Sequence, residues 1–190
     1  MADSGTNYPY PMLNPPSFRW NRPDPLPAEP RVNEWIRTLE RDETASPIWS
    51  DIDVTLLGVP LSRSSISASA ASETPDALRR AWKYFTTYNL EEGVDLSPLR
   101  VVDLGDVRQH VTDIAACHRN ILEAMAAMRK HHPHTLPLVV GGDHSITAML
   151  VKGWKRVHSE ERIGILQLDT HFDLRSLEDH GPTNGTPLRN

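Results

Sequence analysis

Asp169, His171 and Asp173 stand at i, i+2 and i+4. On an extended segment a period of two places all three side chains on one face, so two carboxylates and an imidazole can converge on one point. Mixed oxygen and nitrogen donors favour Mn²⁺ or Zn²⁺ over the softer metals that thiolates select. A carboxylate central to such a set can bridge two ions about 3.5–4 Å apart, the arrangement that activates water between metals. His144 follows Gly141-Gly142-Asp143 and precedes Ser145. Alone it reads as a turn histidine; beside the triple it supplies a fourth ligand. The two glycines allow close backbone approach to the site. Asp143 suits either the orientation of ligands or structural hydrogen bonding. A plain surface turn would leave the two carboxylates of the triple crowded together after a strongly apolar run.

Elements of alternating type must carry these residues. Val54 to Val59 is a continuous apolar run, the mark of a strand covered on both faces. A Ser/Ala-rich loop, Leu61 to Ser72, leads to a helix with Thr74 as N-cap and Pro75 first, whose buried stripe is Ala77, Leu78, Ala81, Trp82 and Phe85. Val101 to Gly105 is a second strand. A helix from about Asp113 to Lys130 follows, with Ile114, Cys117, Ile121, Met125 and Met128 at three- and four-residue spacings. Leu136 to Val140 is a third strand ending in the Gly-Gly-Asp-His-Ser run, and Ile146 to Val157 a further helix. Ile163 to Leu168 reads as a fourth strand running straight into Asp169. Such alternation predicts a parallel sheet with helices on both faces, where function gathers at the C-terminal ends of strands.

Proline divides the chain. Of 16 prolines, eight fall in the first thirty residues, which predicts an extended arm that Tyr8, Tyr10, Phe18 and Trp20 can pin to a surface. Trp35, Ile36 and Leu39 suggest a short helix over Glu34 to Glu40, before a polar turn at Asp42 to Ser46. The organisation expected is an arm over residues 1–50 and one α/β unit over 51–190. At 190 residues the chain suits one domain. With 25 acidic against 20 basic residues, a formal charge of −5 and no Lys/Arg cluster, it lacks the footprint of a nucleic-acid binder. No apolar stretch approaches the roughly 20 residues of a spanning helix. The N-terminus has no secretory pattern and Cys117 is the single cysteine, so a reducing cytoplasm is the expected compartment and no membrane partner is expected.

Gly141-Gly142-Asp143-His144-Ser145 followed by Asp169-x-His171-x-Asp173 resembles the ureohydrolase (arginase/agmatinase) family. Gly58-Val59-Pro60-Leu61-Ser62 with Ser64-Ser65-Ile66-Ser67, His171-Phe172-Asp173-Leu174-Arg175, and Gly181 to Arg189 resemble its formimidoylglutamase branch more narrowly. The resemblance implies a three-layer α/β/α fold with a mainly parallel sheet, cytoplasmic and homo-oligomeric. It also implies a binuclear Mn²⁺ centre that hydrolyses a small amidine or guanidine carboxylate. For this branch the reaction is N-formimidoyl-L-glutamate and water to L-glutamate and formamide, in histidine degradation. It assigns His144, Asp169 and Asp173 to one ion and His171 with the bridging Asp169 to the other. Arg175 and Arg189 are candidates to clamp a substrate carboxylate, with Asn184 and Thr186 lining the same loop. Where arginase and agmatinase relatives carry a proton-shuttling histidine, this chain has Asn184. That departure disfavours a guanidino substrate, although His180 is close enough to substitute.

The family normally carries a second motif, Ser-x-Asp-x-Asp, with two more ligands, and this sequence holds no such motif after Asp173. Ser50-Asp51-Ile52-Asp53 is superficially similar, but Asp53 precedes the first strand and is expected at the opposite end of the sheet. The expectation is therefore an arginase-like domain truncated at its C-terminus. The alternatives are an agmatinase-like guanidino hydrolase and a non-catalytic remnant.

Overall fold

The computed structural model describes residues 10–24, 26, 28–39 and 51–190. In chain order its elements are β1 (Leu13–Asn14), α1 (Val32–Trp35), β2 (Arg37–Thr38), β3 (Val54–Gly58), α2 (Thr74–Ala81), β4 (Tyr88–Asn89), β5 (Val94–Asp95), β6 (Val101–Val107), α3 (Ile114–His131), β7 (Leu136–Val140), α4 (Ile146–Val157) and α5 (Leu177–His180). The apolar runs at β3, β6 and β7 form one sheet in the order β1-β6-β3-β7, and β2 also pairs with β6. β3 is parallel to both its neighbours, with Val54 opposite Val101 and Leu136. β4 and β5 form a separate small antiparallel pair.

Alternation along the strands sorts the two faces. Leu57, Val102 and Leu104 join Cys117, Ile121, Met125, Ala148 and Met149 in one core, so α3 and α4 cover that face. Asp103 points the other way, where Arg79 of α2 meets it at 2.7 Å. Helices on both faces of a mainly parallel sheet make the three layers expected. Asp113 caps α3 by accepting from the Ala116 amide at 2.8 Å, and the apolar stripe of that helix is buried as its spacing requires.

The described part of the proline-rich arm packs against the rest of the chain. Tyr10 is buried, its hydroxyl 2.7 Å from His132 Nε2, and the Arg80 guanidinium lies over the Phe18 ring. The arm also supplies β1, a two-residue edge strand antiparallel to β6. Pro25, Pro27 and residues 1–9 lie outside the described residues, Tyr8 among them. So does the polar turn at Asp42 to Ser46.

Three expectations need correction. The helix placed over Glu34 to Glu40 is shifted: α1 ends at Trp35, and Arg37 and Thr38 pair in parallel with Val102 and Asp103. The free edge of β6 takes this segment as a strand, so tertiary pairing overrides its helical spacing. In α2 the buried residues are Pro75 and Arg79, while Leu78 is exposed, as is Phe85 beyond the end of the helix. The helix turns its cation inward because Asp103 and Asp106 await it on β6. Finally, Ile163 to Leu168 forms no strand. The segment pairs with no strand among the described residues, and Leu166 and Leu168 are 90% and 93% exposed.

Candidate metal centre

The loops after β3 and β7 and the segment after residue 168 converge. β7 ends at Val140, and Gly141-Gly142 carries the chain over the loop after β3, where a Cβ on Gly142 would overlap the Leu61 carbonyl. The Asp143 amide donates to that carbonyl at 2.6 Å. The Asp143 carboxylate accepts from the Ser64 amide on one oxygen and from the Ser145 amide on the other, both at 3.0 Å. Both oxygens are thus engaged with backbone. Asp143 ties the turn that carries His144 to the loop after β3 and does not itself join the ligand cluster.

His144 Nδ1 lies 2.9 Å from Asp173 Oδ2 and 3.6 Å from Asp169 Oδ2. One donor atom from each of the three falls within 4.8 Å of the others. Donors about 2.1 Å from an ion and at right angles are about 3 Å apart, so these separations fit a single divalent cation. One imidazole and two carboxylates are the donor chemistry of Mn²⁺ or Zn²⁺. Asp169 also turns Oδ1 toward His171, whose Nδ1 is 3.7 Å away. Its two oxygens therefore address two different histidines, as a bridging carboxylate would.

This convergence does not come from the strand period. The His171 amide donates to Asp169 Oδ1 at 3.0 Å, an Asx-type turn. That hydrogen bond is also the main cause holding the Asp169 carboxyl below its usual carboxylate range. The turn swings His171 outward, to 77% side-chain exposure, beside the cluster instead of inside it. Asp173 then adopts φ 51°, a left-handed conformation that Asp tolerates better than most residues. Gln167, which sequence reasoning missed, donates from Nε2 to Asp173 Oδ2 at 2.9 Å and to the His171 carbonyl at 3.0 Å. Its signal was a lone amide in an apolar run, two positions before Asp169.

A cleft of about 520 Å³ opens beside the cluster, lined by Ile66, His171, Asp173, Arg175, Asn184 and Gly185 among others. Arg175 holds the rim, its amide bonded to the Gly185 carbonyl at 3.1 Å. Asn184 Oδ1 accepts from the Ile66 amide at 2.9 Å and its own amide donates to the Ser64 carbonyl, tying the loop after β3 to the C-terminal loop. The other candidates fall elsewhere. Thr186 is fully buried, its hydroxyl engaged with the Gly181 and Thr183 backbone. Arg189 donates to the Leu174 carbonyl at 3.1 Å and does not line the cleft. His180 is exposed on α5 and also off the cleft. Asp53 accepts from the Arg100 amide at the N-terminal ends of β3 and β6, at the sheet end opposite the cluster.

A sequence model of the arginase family matches residues 52–190. Formimidoylglutamase of Halalkalibacterium halodurans is 46% identical over 134 residues, 70% of this chain and 41% of that protein. The Bacillus subtilis formimidoylglutamase is 42% identical over 144 residues, 74% of this chain and 44% of that protein. The crystal structure of the Bacillus subtilis protein superposes with a TM-score of 0.73 at 36% identity, covering 95% of this chain and 52% of that one. A Trypanosoma cruzi formiminoglutamase structure with Mn²⁺ shares the fold at 23% identity, with a TM-score of 0.68 over 85% of this chain and 52% of its own. The chain spans about half the length of the relatives it matches. No helix among the described residues is long and apolar enough to cross a membrane.

Proposed function

The chain belongs to the arginase family, and from that premise we propose that it forms the N-terminal part of a Mn²⁺ hydrolase that cleaves N-formimidoyl-L-glutamate to L-glutamate and formamide. The observation that carries this reading is the His144, Asp169 and Asp173 cluster, with the second Asp169 oxygen facing His171. Asp169 would bridge two ions, with His144 and Asp173 holding one and His171 the other. Divalent ions bound there supply Lewis acidity and make water nucleophilic near neutral pH.

The chain's own residues position the substrate. Arg175 at the rim of the cleft offers a bidentate partner for a glutamate carboxylate, a geometry lysine would not reproduce. Water adds to the amidine carbon, the bond to the glutamate nitrogen breaks, and that nitrogen leaves as the amine after gaining a proton. Asn184 Oδ1 is held by the Ile66 amide, so this residue aligns the cleft and carries no proton. That supports an amidine over a guanidino substrate. A cytoplasmic setting in histidine degradation and a homo-oligomeric assembly complete the proposal.

The test is Mn²⁺-dependent formamide release from N-formimidoyl-L-glutamate by this chain co-expressed with a family C-terminal segment carrying Ser-x-Asp-x-Asp. The expected result is formamide and glutamate in equal amounts, with agmatine uncleaved. A soluble, Mn²⁺-loaded complex that releases no formamide would overturn the substrate, and a chain that takes up no Mn²⁺ would overturn the metal centre.

A further inference from the structure

Behind the Gly-Gly-Asp-His-Ser turn lies a knot of four buried polar side chains: Asp143, Ser145, Ser64 and His118. His118 projects from α3, and its Nε2 is 3.2 Å from Ser145 Oγ and 3.4 Å from Ser64 Oγ. The two serines are also the residues whose amides bond the two oxygens of Asp143. Ser64 holds the C-terminal loop as well, because its carbonyl accepts from the Asn184 amide at 3.0 Å. One imidazole thus joins the residue immediately after His144 to the loop that orients Asn184. Burial holds that imidazole toward its neutral form, leaving a ring nitrogen for the serine hydroxyls.

We propose that His118 is a positioning residue for the metal ligand His144, acting through Ser145 and Ser64 without touching ion or substrate. The inference rests on the metal-centre reading above. The physical argument is that α3 is anchored in the core by Cys117, Ile121 and Met125, whereas the 141–145 turn has no strand or helix of its own. A buried network in which every member is satisfied fixes one geometry; with one member removed, two hydroxyls lose their shared partner and the turn gains alternatives.

The experiment compares the parent chain with His118→Leu and His118→Gln. Three quantities are read: Mn²⁺ affinity by calorimetry, thermal midpoint, and the His144 ring-proton resonance in metal-free protein. Glutamine returns a polar atom close to the position of Nε2. The expected result is Mn²⁺ affinity reduced about tenfold in H118L, the scale of losses when groups that orient metal ligands are removed. H118Q restores most of it, and the His144 line is single in the parent and H118Q but broadened in H118L. Parental affinity and a single His144 line in a folded H118L would overturn the proposal. So would an affinity loss that H118Q does not repair. Should H118L not fold, Ser145→Ala replaces it, and unchanged affinity and line shape there refute the role equally. If the parent itself binds no Mn²⁺, the metal-centre reading fails, and the His144 line shapes in metal-free protein still decide what His118 does.

Discussion

His144 Nδ1 and Asp173 Oδ2 stand 2.9 Å apart, although 29 positions separate them in the chain. Asp173 reaches this position with φ at 51°, so its side chain serves both the cluster and a backbone conformation most residues resist. Asp173→Asn keeps a residue tolerant of that conformation and removes the charge; Mn²⁺ affinity should fall at least tenfold with little change in thermal midpoint. Asp173→Val should lose the affinity and a further ~1–2 kcal/mol of stability. Calorimetric Mn²⁺ titration and urea unfolding of both variants separate the two effects. Equal stability of the two would show that the left-handed conformation carries no cost.

Arg79 is buried between Asp103 at 2.7 Å and Asp106 at 2.7 Å. Removing one member of a buried charge group leaves the others uncompensated, so Arg79→Met should destabilise the fold by about 3–5 kcal/mol. Replacing Asp103 and Asp106 by Asn in the same variant should recover part of that loss. Gly58→Ala is expected to disturb the same place, because a Cβ there would overlap Asp106 Oδ1. Denaturant midpoints of the single and combined variants are the check.

Burial beneath the arm pushes His132 down to about 4 from its ordinary value, with the nearby His131 and Arg129 adding to the effect. The unfolded chain binds a proton at this residue from about pH 6.5, and the folded chain does so only near pH 4. The unfolded state therefore holds more protons in that window, so stability must fall as the pH drops from 6.5 toward 4. The full penalty is about 3 kcal/mol. His132→Gln should flatten the difference between urea midpoints at pH 7 and pH 5. An unchanged slope would show that the Tyr10 and His132 contact is open to water.

Arg175 lines the cleft beside His171 and Asp173. Under the proposed function, Arg175→Lys should weaken glutamate binding about tenfold, since an ammonium gives no fork to a carboxylate. Arg189→Lys should leave it unchanged, because Arg189 is turned to the Leu174 carbonyl away from the cleft. Isothermal titration of glutamate into the Mn²⁺-loaded complex distinguishes them. Equal losses in both variants would refute the assignment of the clamp to Arg175.

The sequence by itself determined the parts whose physics is local. The apolar runs of β3, β6 and β7 and the helices α3 and α4 follow from periodicity, with Asp113 capping α3. The motif that holds His144 begins where β7 ends, whereas the segment that holds Asp169 and Asp173 follows no strand. Tertiary structure decided what depends on a distant partner. Arg79 turns inward because of two carboxylates on β6, a pairing invisible in the pattern of α2. Arg37 and Thr38 leave their helical spacing because the edge of β6 offers hydrogen bonds. Ile163 to Leu168 has the composition of a strand but pairs with none among the described residues, since a ladder needs a partner strand that composition alone does not supply. At the metal centre the sequence supplied the ligand types. A turn at Asp169, a left-handed residue at Asp173 and a buried imidazole 26 positions before His144 set their geometry. Each acts through hydrogen bonds or backbone angles that residue spacing does not encode.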